Sequence, residues 1–132
     1  MAALTTDRNT PEIAGRSFGD PVAAGAVIFA GAMVVLDASG NAAPASTATG
    51  LTGRGRAREY VDNSDGAAGD AVVPVDRGVF CFANNGEVTR AHINDPAYAV
   101  DDQTVAPTDG GGTRSAVGTI RNVDAFGVWV EF

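Results

Sequence analysis

Three times in this chain an apolar run stops at an aspartate, turns on a glycine and resumes as a second apolar run. The segments are Val34-Val35-Leu36-Asp37-Ala38-Ser39-Gly40, Val73-Pro74-Val75-Asp76-Arg77-Gly78-Val79-Phe80 and Ile120-Arg121-Asn122-Val123-Asp124-Ala125-Phe126-Gly127-Val128-Trp129-Val130. An aspartate at the first turn position accepts hydrogen bonds from the backbone just ahead of it. Glycine supplies the positive φ of a hairpin that matches strand twist. Repetition of the unit confines the chain to short antiparallel hairpins, and no long helical period competes. Turns recur at roughly 8–12 residues, the spacing of a small sandwich or barrel. The expected fold is all-β: a small antiparallel sandwich or barrel of short hairpins, with an extended N-terminal arm and at most one short helix.

The arm is expected over residues 1–20 and a single β domain over 21–132. In the first twenty residues Asn9-Thr10-Pro11-Glu12 and Gly19-Asp20-Pro21 signal turn and coil, and Leu4, Ile13 and Phe18 are the only sizeable apolar side chains. Such a segment orders only when docked. Strands are then expected over 22–29, broken at Ala24-Gly25, over 32–36 with its return at 41–45, and over 51–61 as one long strand. Residues 71–75 and 79–83 form the tightest of the three hairpins in this reading. Thr89 caps a single helical turn. Residues 97–100 and 104–106 pair around Asp101-Asp102, and 116–123 pairs with 128–132.

A chain of 132 residues makes one domain, and roughly two-thirds of its unfolded surface can be buried. Large side chains are few, with six Phe, two Tyr and one Trp beside 17 Gly. The core should therefore be thin and lean on neighbouring subunits or a partner surface. All nine basic residues are arginine and the formal net charge is −7. That balance opposes a sequence-independent nucleic-acid binder, which needs a dense cationic face, and it opposes binding to an anionic membrane. No stretch reaches the ~20 apolar residues of a membrane span. The start lacks the basic-then-apolar pattern of a signal peptide, so synthesis in a reducing cytoplasm is expected. Cys81 is the sole cysteine, which leaves no intrachain disulfide and no thiolate metal cluster.

Arg54, Arg56 and Arg58 alternate with Gly53, Gly55 and Ala57. On a strand this puts three guanidinium groups on one face, either as a docking strip for an acidic surface or as a solvated face balancing nearby aspartates. The small residues between them permit close backbone approach. Asp62-Asn63-Ser64-Asp65-Gly66, with Asp70 beyond, lacks the alternating acids and terminal glutamate of a calcium loop and reads as a turn cluster. Asp101-Asp102 reads as a hairpin turn, since adjacent strand residues point to opposite faces. His92, the only histidine, has no nucleophile elbow to serve and reads as a surface or cap residue. Cys81, between Phe80 and Phe82, reads as a structural thiol. The Gly110 triplet, with no following helix and no Lys-Ser/Thr, is a linker. No catalytic group, metal site or cofactor is expected.

Read whole, the chain resembles the small decoration (cement, head-stabilising) proteins of tailed-bacteriophage capsids. The resemblance rests on Pro21-Val22-Ala23-Ala24-Gly25-Ala26 leading into Ala30-Gly31-Ala32-Met33-Val34-Val35-Leu36-Asp37-Ala38-Ser39-Gly40, and on Gly53-Arg54-Gly55-Arg56-Ala57. Arg77-Gly78-Val79-Phe80-Cys81-Phe82-Ala83-Asn84, Tyr98-Ala99-Val100-Asp101-Asp102-Gln103-Thr104-Val105 and Val117-Gly118-Thr119-Ile120 through Val130 complete it. It implies a β-tulip-like or small-barrel fold on the exterior of the virion, made in the bacterial host cytoplasm. It also implies a homo-oligomer, a trimer in preference to a dimer, with the phage major capsid protein as partner. On this reading the chain is no enzyme and cements neighbouring capsid subunits of the expanded head. Leu4, Ile13 and Phe18 would be apolar anchors of the arm, and Arg8 and Arg16 would pair with capsid carboxylates. Arg54, Arg56 and Arg58 would supply the docking strip.

Two rivals come from other classes. A tail or head-surface module binding a host glycan or receptor needs clustered exposed aromatics, for which Tyr60, Tyr98 and Trp129 are the candidates, Trp129 on a strand expected to face the core. A small hydrolase would have to use His92 or Asp102.

Overall fold

The computed structural model describes residues 2–11, 13 and 15–132. It is all-β, apart from one turn of 3₁₀ helix at Arg90–His92. The strands are β1 (Ser17–Pro21), β2 (Val27–Ile28), β3 (Met33–Leu36), β4 (Ala42–Pro44), β5 (Thr52–Ala57), β6 (Val61–Asp62), β7 (Val72–Asp76), β8 (Val79–Asn84), β9 (Pro96–Ala99), β10 (Thr104–Ala106), β11 (Ala116–Asp124) and β12 (Gly127–Glu131). They form a five-stranded sheet in the order β1-β7-β5-β3-β4 and a small closed barrel in the order β10-β8-β12-β11-β9. A two-stranded ladder, β2-β6, completes the fold. Neighbours are antiparallel except β8 and β10, which run parallel.

The chemistry read from the turns holds at two of the three. Asp37 Oδ1 accepts from the N–H groups of Ser39 and Asn41 at 2.9 and 3.0 Å. Gly40 at φ 81° then closes the β3–β4 hairpin. Asp124 Oδ1 accepts from Phe126 N at 2.9 Å and closes β11–β12. The third unit is not a hairpin. β7 pairs with β1 and β5, while β8 pairs with β12 and β10, so Asp76-Arg77-Gly78 is where the chain leaves the sheet for the barrel. The Asp76 carboxylate caps no turn, because Ser17, Arg56 and Arg58 engage it instead.

Further boundaries move for stated reasons. The first strand opens at Ser17, inside the segment expected to be arm, because β1 lies antiparallel on β7 from Ser17↔Asp76 to Pro21↔Val72. The long strand expected over 51–61 breaks after Ala57, and β6 leaves to pair with β2. The single helical turn forms as expected: Thr89 is its N-cap, and His92 Nδ1 accepts from Thr89 N at 2.9 Å, which makes His92 a cap residue. The 62–70 segment is a turn cluster built on the buried Asn63. Its amide donates to the Ala23 and Ala67 carbonyls at 3.0 Å each, and Asp62 and Asp70 accept from backbone N–H groups beside it.

β3 is the wall shared by two cores. Met33 and Val35 point into the barrel side with Phe82, Val105, Val117, Ile120, Val128 and Val130. Val34 points the other way, with Val22, Ile28, Ala57, Val73 and Val75. The largest fully buried side chains are Ile, Met and Val, so the core is thin in the sense the composition implied. Sheet and barrel meet closely at β5. A Cβ built on Gly53 would lie 1.8 Å from the Val117 carbonyl oxygen, so the close approach anticipated at these small residues is internal.

Candidate docking surface

A β-bulge decides how the arginines of β5 are displayed. Val34 lies opposite Gly55 and Val35 opposite Gly53, leaving Arg54 as the extra residue. The period-2 alternation is broken there, and the three arginines do not share one face. Arg54 stands with Phe18 and Asp20, whose cross-strand neighbours Val75 and Val73 face the second core. Its guanidinium lies 4.1 Å above the Phe18 ring and donates to both Asp20 oxygens, at 2.7 and 3.0 Å. Such a bidentate, stacked pair with a buried carboxylate leaves little of that charge for a partner. Phe18 is half-buried beneath Arg54 and is a strand residue rather than an anchor on a free arm.

Arg56 and Arg58 stand on the opposite face, where the register sets Arg56 directly across from Asp76. Arg56 lies 4.3 Å above the Phe80 ring and reaches Asp76 Oδ2 at 3.3 Å. Arg58 meets Asp76 Oδ1 at 2.6 Å and also donates to the Ser17 hydroxyl, which itself donates to Asp76 at 2.6 Å. The hydrogen bond from Arg58, then that from Ser17, holds the Asp76 carboxyl far below the usual carboxylate range, and the same contact raises Arg58.

Around this carboxylate is a concavity of about 260 Å³ lined by Arg16, Ser17, Arg56, Arg58, Asp76, Arg77 and Phe80. Four arginines thus line the concavity around one carboxylate, two of them bonded to it, in a chain whose formal net charge is −7. Arg77 donates to the Arg54 carbonyl at 3.3 Å. Neither Arg16 nor Arg77 makes an ion pair among the described residues. Stacking on Phe80 and bonding to Asp76 fix the Arg56 and Arg58 planes before any partner arrives, which suits a site for carboxylates of another protein.

The concavity borders an open strand edge. Arg16 accepts from Arg77 N at 2.7 Å and Val22 donates to the Ala71 carbonyl at 2.9 Å, so the even-numbered residues of β1 bond to β7. Ser17 and Gly19 therefore turn their N–H and C=O groups outward along the sheet's edge. Immediately before β1 lie Leu4, Arg8 and Ile13, all exposed, with Leu4 and Ile13 at 73% each.

Of the residues singled out from the sequence, the structure brings Arg16, Arg56 and Arg58 to one concavity and pairs Phe18 with Arg54 on the other face. Leu4, Arg8 and Ile13 lie on the segment leading into the sheet edge. Sequence reasoning missed Asp76, Arg77 and Phe80, and their only local signal was an arginine inside an Asp-x-Gly turn beside the Phe80-Cys81-Phe82 strand. Trp129 is also relocated. It lies on the outer side of β12, between buried Val128 and Val130, and its Nε1 donates to Asp124 at 3.0 Å. Compared with family models, with curated proteins and with solved structures, the chain matches none.

Proposed function

We propose that this chain is a structural virion protein that binds the outer surface of a tailed-phage capsid and cements neighbouring major capsid subunits, stabilising the expanded head. The observation that carries the reading is the exposed segment before Ser17, with Leu4 and Ile13 uncovered, feeding directly into an open strand edge beside the arginine-lined concavity. Apolar side chains with no cover of their own gain most from a partner surface. The outward N–H and C=O groups of Ser17 and Gly19 offer that partner a backbone ladder. Acidic side chains on a capsid loop would neutralise Arg16, Arg77 and the cationic excess of Arg56 and Arg58. A trimeric assembly repeated over a symmetric shell multiplies each such contact by avidity. The role requires no turnover and no cofactor.

The test is co-sedimentation of the purified protein with expanded heads assembled from the phage's own major capsid protein. Removing residues 2–15 leaves β1 whole and should abolish binding while the thermal melt stays unchanged. Saturation of the heads by the truncated chain would refute the mechanism.

A further inference from the structure

The register of the β2–β6 ladder, Val27↔Asp62 and Ile28↔Val61, continues to place Phe29 opposite Tyr60. Both rings point out of the domain, 60% and 53% exposed, with centroids 5.5 Å apart and planes tilted by 42°. Paired large aromatics left in water are unusual on a chain with so few of them. Beside Phe29 is a second concavity, of about 370 Å³, floored by Ala30, Gly31 and Ala32 and walled by Asp102 and Gln103. Its frame is rigid. The Phe29 carbonyl accepts from Ala32 N at 3.1 Å, Gly31 N donates to Ala57 at 2.9 Å, and Met33 N donates to the Asp102 carbonyl at 2.7 Å. The last bond ties the turn carrying Asp102 and Gln103 to the turn carrying Phe29. The backbone groups of that wall are used, for Gln103 also accepts from Ala83 N at 2.7 Å. Both Asp102 and Gln103 line the concavity, and neither the carboxylate nor the carboxamide makes a hydrogen bond to another described residue.

We propose that the concavity lined by Phe29, Asp102 and Gln103, with Tyr60 packed against Phe29, binds a neutral pyranose sugar of a surface polysaccharide. An apolar sugar face of C–H bonds lies on an exposed ring, and its hydroxyls need one acceptor and one mixed donor–acceptor group at the side. Phe29 supplies the first, and Asp102 and Gln103 the second. The small floor residues let a ring sit close to the backbone. The adjoining Asp101 and the net charge of −7 exclude sialic acids and phosphorylated sugars. An isologous contact with a second copy would set the Asp101-Asp102 pairs of the two subunits near each other, which disfavours that occupant. The site lies apart from the arginine-lined concavity and shares no lining residue with it, so the two fail or stand independently.

The experiment is saturation-transfer NMR on the full chain with the methyl pyranosides of glucose, galactose and mannose and with N-acetylglucosamine. At least one should receive saturation, strongest at the C–H protons of one ring face. Phe29→Ala and Asp102→Asn, both at solvent-accessible positions, should each weaken that ligand by about tenfold or more, with unchanged thermal melts. No transfer to any of the four sugars overturns the proposal, as does equal transfer to wild type and both variants. It also fails if Phe29→Ala/Tyr60→Ala lowers the mass in sedimentation equilibrium while no sugar binds wild type, for the aromatic pair is then a subunit contact.

Discussion

Asp76, the last residue of β7, holds Arg58 from beyond the end of β5 at 2.6 Å, and that pair fixes how the sheet edge is displayed. Ser17 of β1 joins the same carboxylate, so a single side chain ties three consecutive segments of the sheet together. Its carboxyl is held well below the ordinary range by Arg58 and Ser17. The carboxylate therefore adds stability at every pH above the ordinary value of about 3.9, and that contribution drains away as acid titrates the folded state below it. Asp76→Asn should lower the urea midpoint at neutral pH, and the two midpoints should converge as the solution becomes strongly acid. A gap that persists unchanged into strong acid would mean that shape, not charge, is what Asp76 provides.

Gly53 makes a second prediction, at the contact of sheet with barrel. With a Cβ 1.8 Å from the Val117 oxygen, alanine there has to push β5 away from β11 or distort both backbones. Gly53→Ala should cost about 2 kcal/mol or more, whereas Thr52→Ala at the exposed neighbour should stay within about 0.5 kcal/mol. Denaturant melts of the two variants decide it, and a wild-type midpoint for Gly53→Ala would show that the layers part easily.

The hairpins at Asp37 and Asp124 were legible because their chemistry is local: a carboxylate, one or two backbone N–H groups and a glycine within five residues. Asp76 carries the same local pattern, and its turn reverses nothing, because pairing partners are chosen by cores that the turn does not see. Val73 and Val75 belong with Val34 and Ala57, and Phe82 belongs with Val128 and Val130. The arginine strip failed for a related reason. Alternation over residues 53–58 presumes a regular strand, and the bulge that puts Arg54 on the other face arises from fitting β5 against β3. The exposed aromatic pair beside the second concavity was legible only in part. Tyr60 stood out by type, but its partner Phe29 became visible once β2 and β6 were in register.

Cys81 sits across from Trp129 on the outer side of the barrel, half-buried, near Asp124. Burial first, and the Asp124 charge second, push its thiol up from the ordinary cysteine value. Since the thiolate is the reactive form, alkylation by iodoacetamide near neutral pH should run slower than for glutathione. The rate should keep climbing at a pH where the free thiol has already levelled off. Asp124→Asn, which removes the second cause, should shift that profile to lower pH. Reaction as fast as glutathione at neutral pH would place the sulfur in open solvent.

The arginine-lined concavity should give capsid binding a salt dependence that the apolar anchors Leu4 and Ile13 alone would not. Arg16 and Arg77 carry charge that no described carboxylate pairs, and Arg56 and Arg58 divide one carboxylate between them. Exposed charges of this kind act over about 10 Å at 0.1 M salt and about 3 Å at 1 M. Raising the salt should therefore weaken binding to heads progressively, in contrast to apolar burial, which salt leaves intact or strengthens. Arg16→Ala/Arg77→Ala removes the unpaired part of the charge and keeps the Asp76 cluster. It should bind more weakly at low salt and lose much of the slope, while the melt changes little beyond the lost bond from Arg77 to the Arg54 carbonyl. Arg54→Ala should act differently, because its charge is spent on Asp20 under cover of the sheet edge. That variant should lower stability, leaving the salt slope as it was. An unchanged slope in Arg16→Ala/Arg77→Ala would remove the concavity from the docking surface and leave it to the arm and the open edge of β1.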